Sequence, residues 1–304
     1  MKQRKTPTNP IFLGILSCLL LTACSSNNLK EAEISRDKQE TEEVLQSTGL
    51  TVASVDDALL KAEKAIQGGK MDLAQLYYVK AYNLEPNNVQ LLQKMADLYI
   101  ELKKYNLAEV SLNLLLKQQP DNLKATEQYG LLLIKLKNYP DAEKNLTRVV
   151  AKQQSWSAYN GLGIIANLQG NPLKAEDFFK KADRIFPNSP ELLNNIGFAL
   201  YSADKFDAAE PYYVKALQIN PSFKKAIYNY ALLQARLGRY EQAYNSFTKV
   251  STPAEASNNT GYIAMMNGDY IEANNYLQAA IETSPLFYKK ANDNLMRLEN
   301  RDTQ

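Results

Sequence analysis

What the sequence lacks narrows its chemistry before any motif is considered. Histidine is absent from all 304 residues, which removes the commonest general base and the commonest metal ligand together. Only two cysteines occur, Cys18 and Cys24, so everything after residue 24 offers no thiol nucleophile and folds without a disulfide. No GxxxxGK[ST] loop and no GxGxxG turn is present to cradle a phosphate. Charge of one sign is missing too. Setting aside Lys2, Arg4 and Lys5, the only charged residues among the first 23, leaves 32 of the 35 basic residues against 33 acidic ones, without the surplus expected of a nucleic-acid binder. The longest apolar run, Ile11 to Leu21, has 11 residues, against the roughly 20 that a membrane-spanning helix needs. Carboxylate pairs such as Glu176 and Asp177 read as solvated helix faces. An enzyme is therefore not expected, nor a cofactor or a metal, and binding of another protein is what remains.

The short apolar run has its own meaning. With the basic start before it, it has the make-up of a secretory signal. It ends in LLLTACSS (residues 19–26), where Leu21, Thr22 and Ala23 lead into Cys24. That stretch resembles the lipobox of bacterial lipoproteins. The resemblance implies that residues 1–23 are a signal peptide, that cleavage leaves Cys24 as the first residue, and that its sulfur is acylated. Ser25 after the cysteine implies, by the sorting rules of those lipoproteins, the outer membrane, with the chain facing the periplasm. Residues 24–54 are polar, with few large apolar side chains, and are expected to be a flexible tether reaching on the order of 30 Å.

From residue 55 the sequence repeats. Ala74, Ala108, Ala142, Ala175, Ala209, Ala243 and Ala273 are spaced by 34, 34, 33, 34, 34 and 30 residues. Twelve places before each stands a small residue: Ala62, Ala96, Gly130, Gly163, Gly197, Ala231 and Gly261. Twelve places after come Pro86, Pro120, Pro187, Pro221 and Pro285, with Gln154 and Glu255 as exceptions. Two helices approach to about 8 Å only where the facing side chains are small, and proline ends a helix interior. Tyr78, Phe179, Tyr213 and Phe247, four places after their alanines, fill the flanks. Gly69, Gly170, Gly238 and Gly268 mark the turn between paired helices. The pattern resembles the tetratricopeptide repeat (TPR), a 34-residue helix-turn-helix unit.

The resemblance implies an all-α fold: a TPR solenoid, a right-handed superhelix of about seven repeats over residues 55–286, with a capping helix and tail over 287–304. Phe287, Ala291, Leu295 and Leu298 form the apolar stripe of that cap. Two irregularities mark expected joints: KQQSW, which closes a third repeat one residue short, and VSTPAEA, which truncates the sixth. Trp156, at the first of them, is expected to pack between neighbouring repeats.

In TPR proteins the first helix of each repeat lines the concave surface. Carried over residue by residue, the first three repeats contribute a mixed, charged lining that includes Glu63 and Asp97. The last four contribute an aromatic and amide-bearing lining: Asn160, Asn194, Phe198, Tyr201, Tyr228, Asn258, Tyr262 and Met265. This is the expected partner-binding groove, suited to a peptide or an amphipathic helix. Asn195, Asn229 and Asn259, one place further along, stand where asparagine in such helices serves structure.

The combination of lipobox and repeats, with the segments LLNNIGFAL, IYNYALLQARLGRYEQA and AEASNNTGYIAMMNGDYIEA, is similar to the TadD lipoproteins of the tight-adherence (Flp pilus) system. That resemblance implies a pilotin-like assembly factor for secretion of the pilus. Its partner would be the pilus secretin or another envelope component, its only contact with the membrane would be the lipid, and it would bind no nucleic acid. The alternative is a TPR adaptor that brings a periplasmic protease or cell-wall hydrolase to its substrate.

Overall fold

The computed structural model describes residues 49–284 and 288–299. The expected signal peptide, Cys24, most of the tether, Pro285, Phe287 and the last five residues lie outside them. Among the described residues there are fifteen helices and no strand. None of these helices is long and apolar enough to cross a membrane.

The chain divides into two compact units between Leu136 and Lys137. The first holds α1 (Val55–Gln67), α2 (Met71–Leu84), α3 (Val89–Glu101), α4 (Tyr105–Gln118) and α5 (Leu123–Lys135). The second holds α6 (Tyr139–Val150), α7 (Trp156–Leu168), α8 (Pro172–Ile185), α9 (Pro190–Ser202), α10 (Phe206–Ile219), α11 (Lys224–Arg236), α12 (Tyr240–Phe247), α13 (Pro253–Asn267), α14 (Tyr270–Glu282) and α15 (Lys289–Glu299). The division falls inside the third repeat, and neither irregular segment is where it occurs. Within the second unit α6 packs on α7 across KQQSW, and α12 packs on α13 across VSTPAEA. Trp156 stacks on Phe186 at 4.9 Å, a residue of its own repeat rather than of a neighbour.

Capping explains where the first helix of each repeat begins. Ser54, Asn88, Asn122, Ser155, Ser189 and Thr252 each accept a hydrogen bond from the backbone N–H three residues on, satisfying one of the helix's free donors. Glu255 completes a capping box by accepting the N–H of Thr252 at 3.0 Å. Phe223 holds the same place in the sixth repeat without a side-chain cap.

In all seven repeats the turn between paired helices passes through one residue with left-handed backbone. Gly69, Gly170, Gly238 and Gly268 have φ of 70°, 75°, 74° and 89°, and Lys103, Lys137 and Asp204 adopt the same left-handed backbone at 59°, 60° and 55°. The next N–H reaches back five residues to close the helix end, as in Lys104 to Tyr99 O at 2.8 Å and Lys205 to Leu200 O at 2.9 Å.

Close packing of the helix pair rests on the small residues that the repeat alignment singled out. A β-carbon built on Gly197 would stand 3.0 Å from the ring of Tyr213, and one on Gly261 would stand 2.9 Å from Leu277. Their partners Tyr78, Leu112, Leu146, Phe179, Tyr213, Phe247 and Leu277 are all buried. Each large apolar side chain removed from water in this way stabilises the stack by about 1.5–3 kcal/mol.

Candidate protein-binding surface

The second unit brings the first helices α7, α9, α11 and α13 side by side, and their shared face is where the expected groove residues fall. Three aromatic side chains remain open to solvent there: Phe198 at 36%, Tyr228 at 37% and Tyr262 at 39%. They are not loose. Phe198 stacks on Tyr201 at 6.4 Å, Tyr201 leans on Phe206 at 5.6 Å, and Tyr228 meets Phe247 edge-on at 5.2 Å. Tyr201 and Tyr262, from helices α9 and α13, line one cleft of about 290 Å³ together with Ser202, Asp204, Arg236 and Met266.

The asparagines lie beneath this surface. Asn194 is fully buried; its Oδ1 accepts from Asn229 Nδ2 at 2.9 Å and its Nδ2 donates to Asn195 Oδ1 at 3.3 Å. Asn195 in turn donates to Asn160 Oδ1 at 2.9 Å, and Asn294 of α15 donates to the buried Asn258 at 3.0 Å. Where the sixth repeat substitutes tyrosine, Asn259 donates to the Tyr228 hydroxyl at 3.4 Å. The amides of Asn160 and Asn194 are thus engaged in rungs between consecutive repeats, and that of Asn258 joins the seventh repeat to the cap. Met265 is buried among Ala264, Leu277 and Leu298, while its neighbour Met266 is 59% exposed. Sequence spacing placed the asparagines and Met265 on the lining. It could not show which way each side chain turns.

The first unit solves the same problem with charge. Lys94 donates to Glu63 at 2.5 Å, and Gln128 donates to Asp97 at 2.7 Å. Glu63 and Asp97 therefore also serve as inter-repeat rungs.

Electrostatics on the second unit's face is set by burial. It raises the pKa of Tyr201 and, with the Glu255 carboxylate nearby, of Tyr228, so both hydroxyls stay protonated at neutral pH. Arg236 brings a cation to the cleft. Its Nη1 donates to Asn267 Oδ1 at 2.9 Å and its guanidinium lies 5.3 Å over the Phe206 ring. Phe206, Asn267 and Asp204 escaped the sequence reading, although the aspartate at a glycine position of the turn was a usable signal. Among the described residues no group of three acidic, cysteine or histidine side chains is arranged to hold a metal ion. The arrangement offers aromatic faces, hydroxyl donors and one held guanidinium, the equipment of a recognition surface.

Residues 65–125, 128–190 and 190–223 each match a family model described as tetratricopeptide repeat, together more than half of the chain. The chain belongs to the tetratricopeptide-repeat family. Members of this family are protein–protein interaction scaffolds, typically non-enzymatic.

This TPR protein is similar to the peroxisomal targeting signal receptor of Kluyveromyces lactis, 29% identical over 118 residues, which is 39% of this chain and 20% of that protein. It is 30% identical over 92 residues to a UDP-N-acetylglucosamine–peptide N-acetylglucosaminyltransferase of Giardia intestinalis, covering 30% of this chain and 6% of that enzyme. The chain thus spans a fifth or less of the length of these curated relatives. Among solved structures, a tetratricopeptide repeat protein from Parabacteroides merdae superposes with a TM-score of 0.60 at 17% identity, over 82% of this chain and all of that one. MamA gives a TM-score of 0.50 at 25% identity, over 55% of this chain and 92% of its own.

Proposed function

We propose that this TPR protein is a lipid-anchored assembly factor that binds the secretin of a tight-adherence pilus through the aromatic face of its second unit. The single observation that carries a binding role is the row of exposed rings, Phe198, Tyr228 and Tyr262, on first helices held in register by amide rungs. A surface pre-ordered in this way loses little conformational freedom when a partner docks, and aromatic anchors commonly dominate such interfaces. The pilus context comes from the sequence resemblance to TadD lipoproteins. The location comes from the lipobox: Cys24 carries the lipid, and the repeats face the periplasm from the outer membrane. The role is non-catalytic.

Titration of a labelled tight-adherence secretin against the purified chain tests the reading. The double change Tyr201→Ala and Tyr228→Ala should weaken binding by at least about 2 kcal/mol, the threshold of an interface hot spot, while helical content is retained. Changes at Glu63 and Asp97 should matter less. If those abolish binding and the tyrosine changes are silent, the functional surface lies in the first unit. The anchor is tested separately: Cys24→Ala protein should leave the membrane fraction, and full retention without a partner would overturn the lipid assignment.

A further inference from the structure

Trp156, the only tryptophan of the chain, takes no part in the aromatic face of the first helices. It opens α7, and Phe186 closes α8, so both stand at the edge of the second unit where first helices begin and second helices end. Their rings stack, yet Trp156 is 39% and Phe186 48% exposed, so each covers only part of the other. The fold does not require an aromatic residue at either place. Glu85, Gln119 and Asn220 close the corresponding helices with nearly the same backbone angles and the same N–H bond to the carbonyl four residues back, and Lys224 opens α11 where Trp156 opens α7. One repeat further along this edge, Ile219 is 44% exposed and Phe223 only partly buried.

The charge of the edge leans one way. Its connecting segments, 150–156, 184–191, 217–225 and 248–255, carry the exposed Lys152, Arg184, Lys224, Lys225 and Lys249 against Glu191 and Glu255, and Glu255 already accepts the N–H of Thr252. The opposite edge of the same unit, segments 168–174, 202–207, 236–241 and 267–272, holds four basic residues against five acidic ones. Exposed rings and a cationic surplus thus coincide on one edge only.

We propose that this edge docks on the surface of an anionic lipid bilayer, with Trp156 and Phe186 entering the headgroup region and the basic side chains meeting lipid phosphates. The inference goes beyond the function proposed above, in which the lipid on Cys24 is the only contact with the membrane. Tryptophan is favoured at the boundary between water and lipid because its ring is apolar while its N–H still finds a partner, and nearby lysines add attraction to anionic headgroups. A bilayer asks for no complementary shape, only for rings that can enter it and cations at the depth of the phosphates. The aromatic face lies on the sides of the first helices rather than at their ends, so it stays open to a protein partner while the edge rests on the membrane.

Since Trp156 is the only tryptophan, its emission reports this edge alone. The full chain is added to vesicles of phosphatidylcholine, with and without roughly 30% phosphatidylglycerol, and to the same vesicles made with brominated acyl chains. Emission should shift to the blue and be quenched by bromine with the anionic vesicles only, and about 0.5 M salt should reverse both. A chain held to the vesicle only through its N-terminal segment would keep Trp156 in water, so anchoring by itself gives neither signal. Lys224→Gln together with Lys249→Gln should lower the quenching at least about threefold, whereas Lys174→Gln with Lys205→Gln, on the opposite edge, should leave it unchanged. Quenching should fall in Phe186→Gln as well, a change the fold tolerates because glutamine already serves at position 119. Tyr201→Ala with Tyr228→Ala should not alter it, so this inference and the secretin reading fail separately. Unshifted emission with anionic vesicles, or equal quenching without phosphatidylglycerol, overturns the proposal. A shift produced by the secretin and not by vesicles would assign the edge to a protein and overturn it too.

Discussion

The ring of Phe179 lies directly over Gly163: a β-carbon built on that glycine would stand 2.5 Å from Cε1 and 2.6 Å from Cδ1. No side chain fits there unless the ring moves, and Phe179 is fully buried at 1% exposure with nowhere to go. Gly163→Ala gains about 1 kcal/mol of helix propensity but overpacks the pair at a cost of about 1–3 kcal/mol or more. Net destabilisation should follow. At Gly197 the nearest ring atoms are 3.0 and 3.1 Å away, so Gly197→Ala should come out close to neutral. Paired urea titrations check this, and a Gly163→Ala variant as stable as the parent would refute the close contact.

The left-handed turns give a change of the opposite sign. Lys103 holds at φ 59° a conformation that the first, fourth, sixth and seventh repeats assign to glycine. A side chain there costs about 1–2 kcal/mol, and glycine gives back about 0.5–1 kcal/mol of that in unfolded-state entropy. Lys103→Gly should therefore raise stability by about 0.5–1 kcal/mol. A lowered melting temperature would show that the lysine side chain contributes more than the backbone costs.

Asn229→Ala leaves the buried Asn194 Oδ1 without the donor that now stands 2.9 Å away. An unsatisfied buried acceptor costs about 1–3 kcal/mol, and a double-mutant cycle with Asn194 should return a favourable coupling energy of that order. Additive effects of the two changes would mean that the rung contributes nothing to the register of the repeats.

Alkaline pH should loosen the first unit. Burial, reinforced by the Glu63 and Asp97 carboxylates, pushes the Tyr78 hydroxyl up to about 12 from the usual 10. The folded form therefore keeps its proton where the unfolded form loses it. The stability this contributes is fully present below pH 10 and declines through pH 12, by at most about 1.4 kcal/mol per pH unit for one group. Tyr78→Phe should flatten that part of the stability curve. An unchanged slope would assign the alkaline loss to other groups.

The sequence by itself determined the repeat, because its physical demands recur at fixed spacing. A helix pair that approaches closely needs a small residue where Gly163 and Ala175 stand, a large one where Phe179 stands, and a left-handed turn where Gly170 stands. Those demands can be read from spacing alone. The aromatic character of the later first helices was equally legible in Phe198, Tyr201, Tyr228 and Tyr262. Only the tertiary structure decided what each side chain in that row does. Asn160, Asn194 and Asn258 spend their amides on the next helix, and Met265 turns inward while Met266 turns out, because a few tens of degrees of rotation about a helix axis separate a buried position from an exposed one. Arg236 is positioned by Asn267, 31 residues on and past a repeat that is four residues short, and by Phe206 in the preceding repeat. No period links those three residues, since their contact depends on how consecutive repeats stack rather than on anything one repeat encodes.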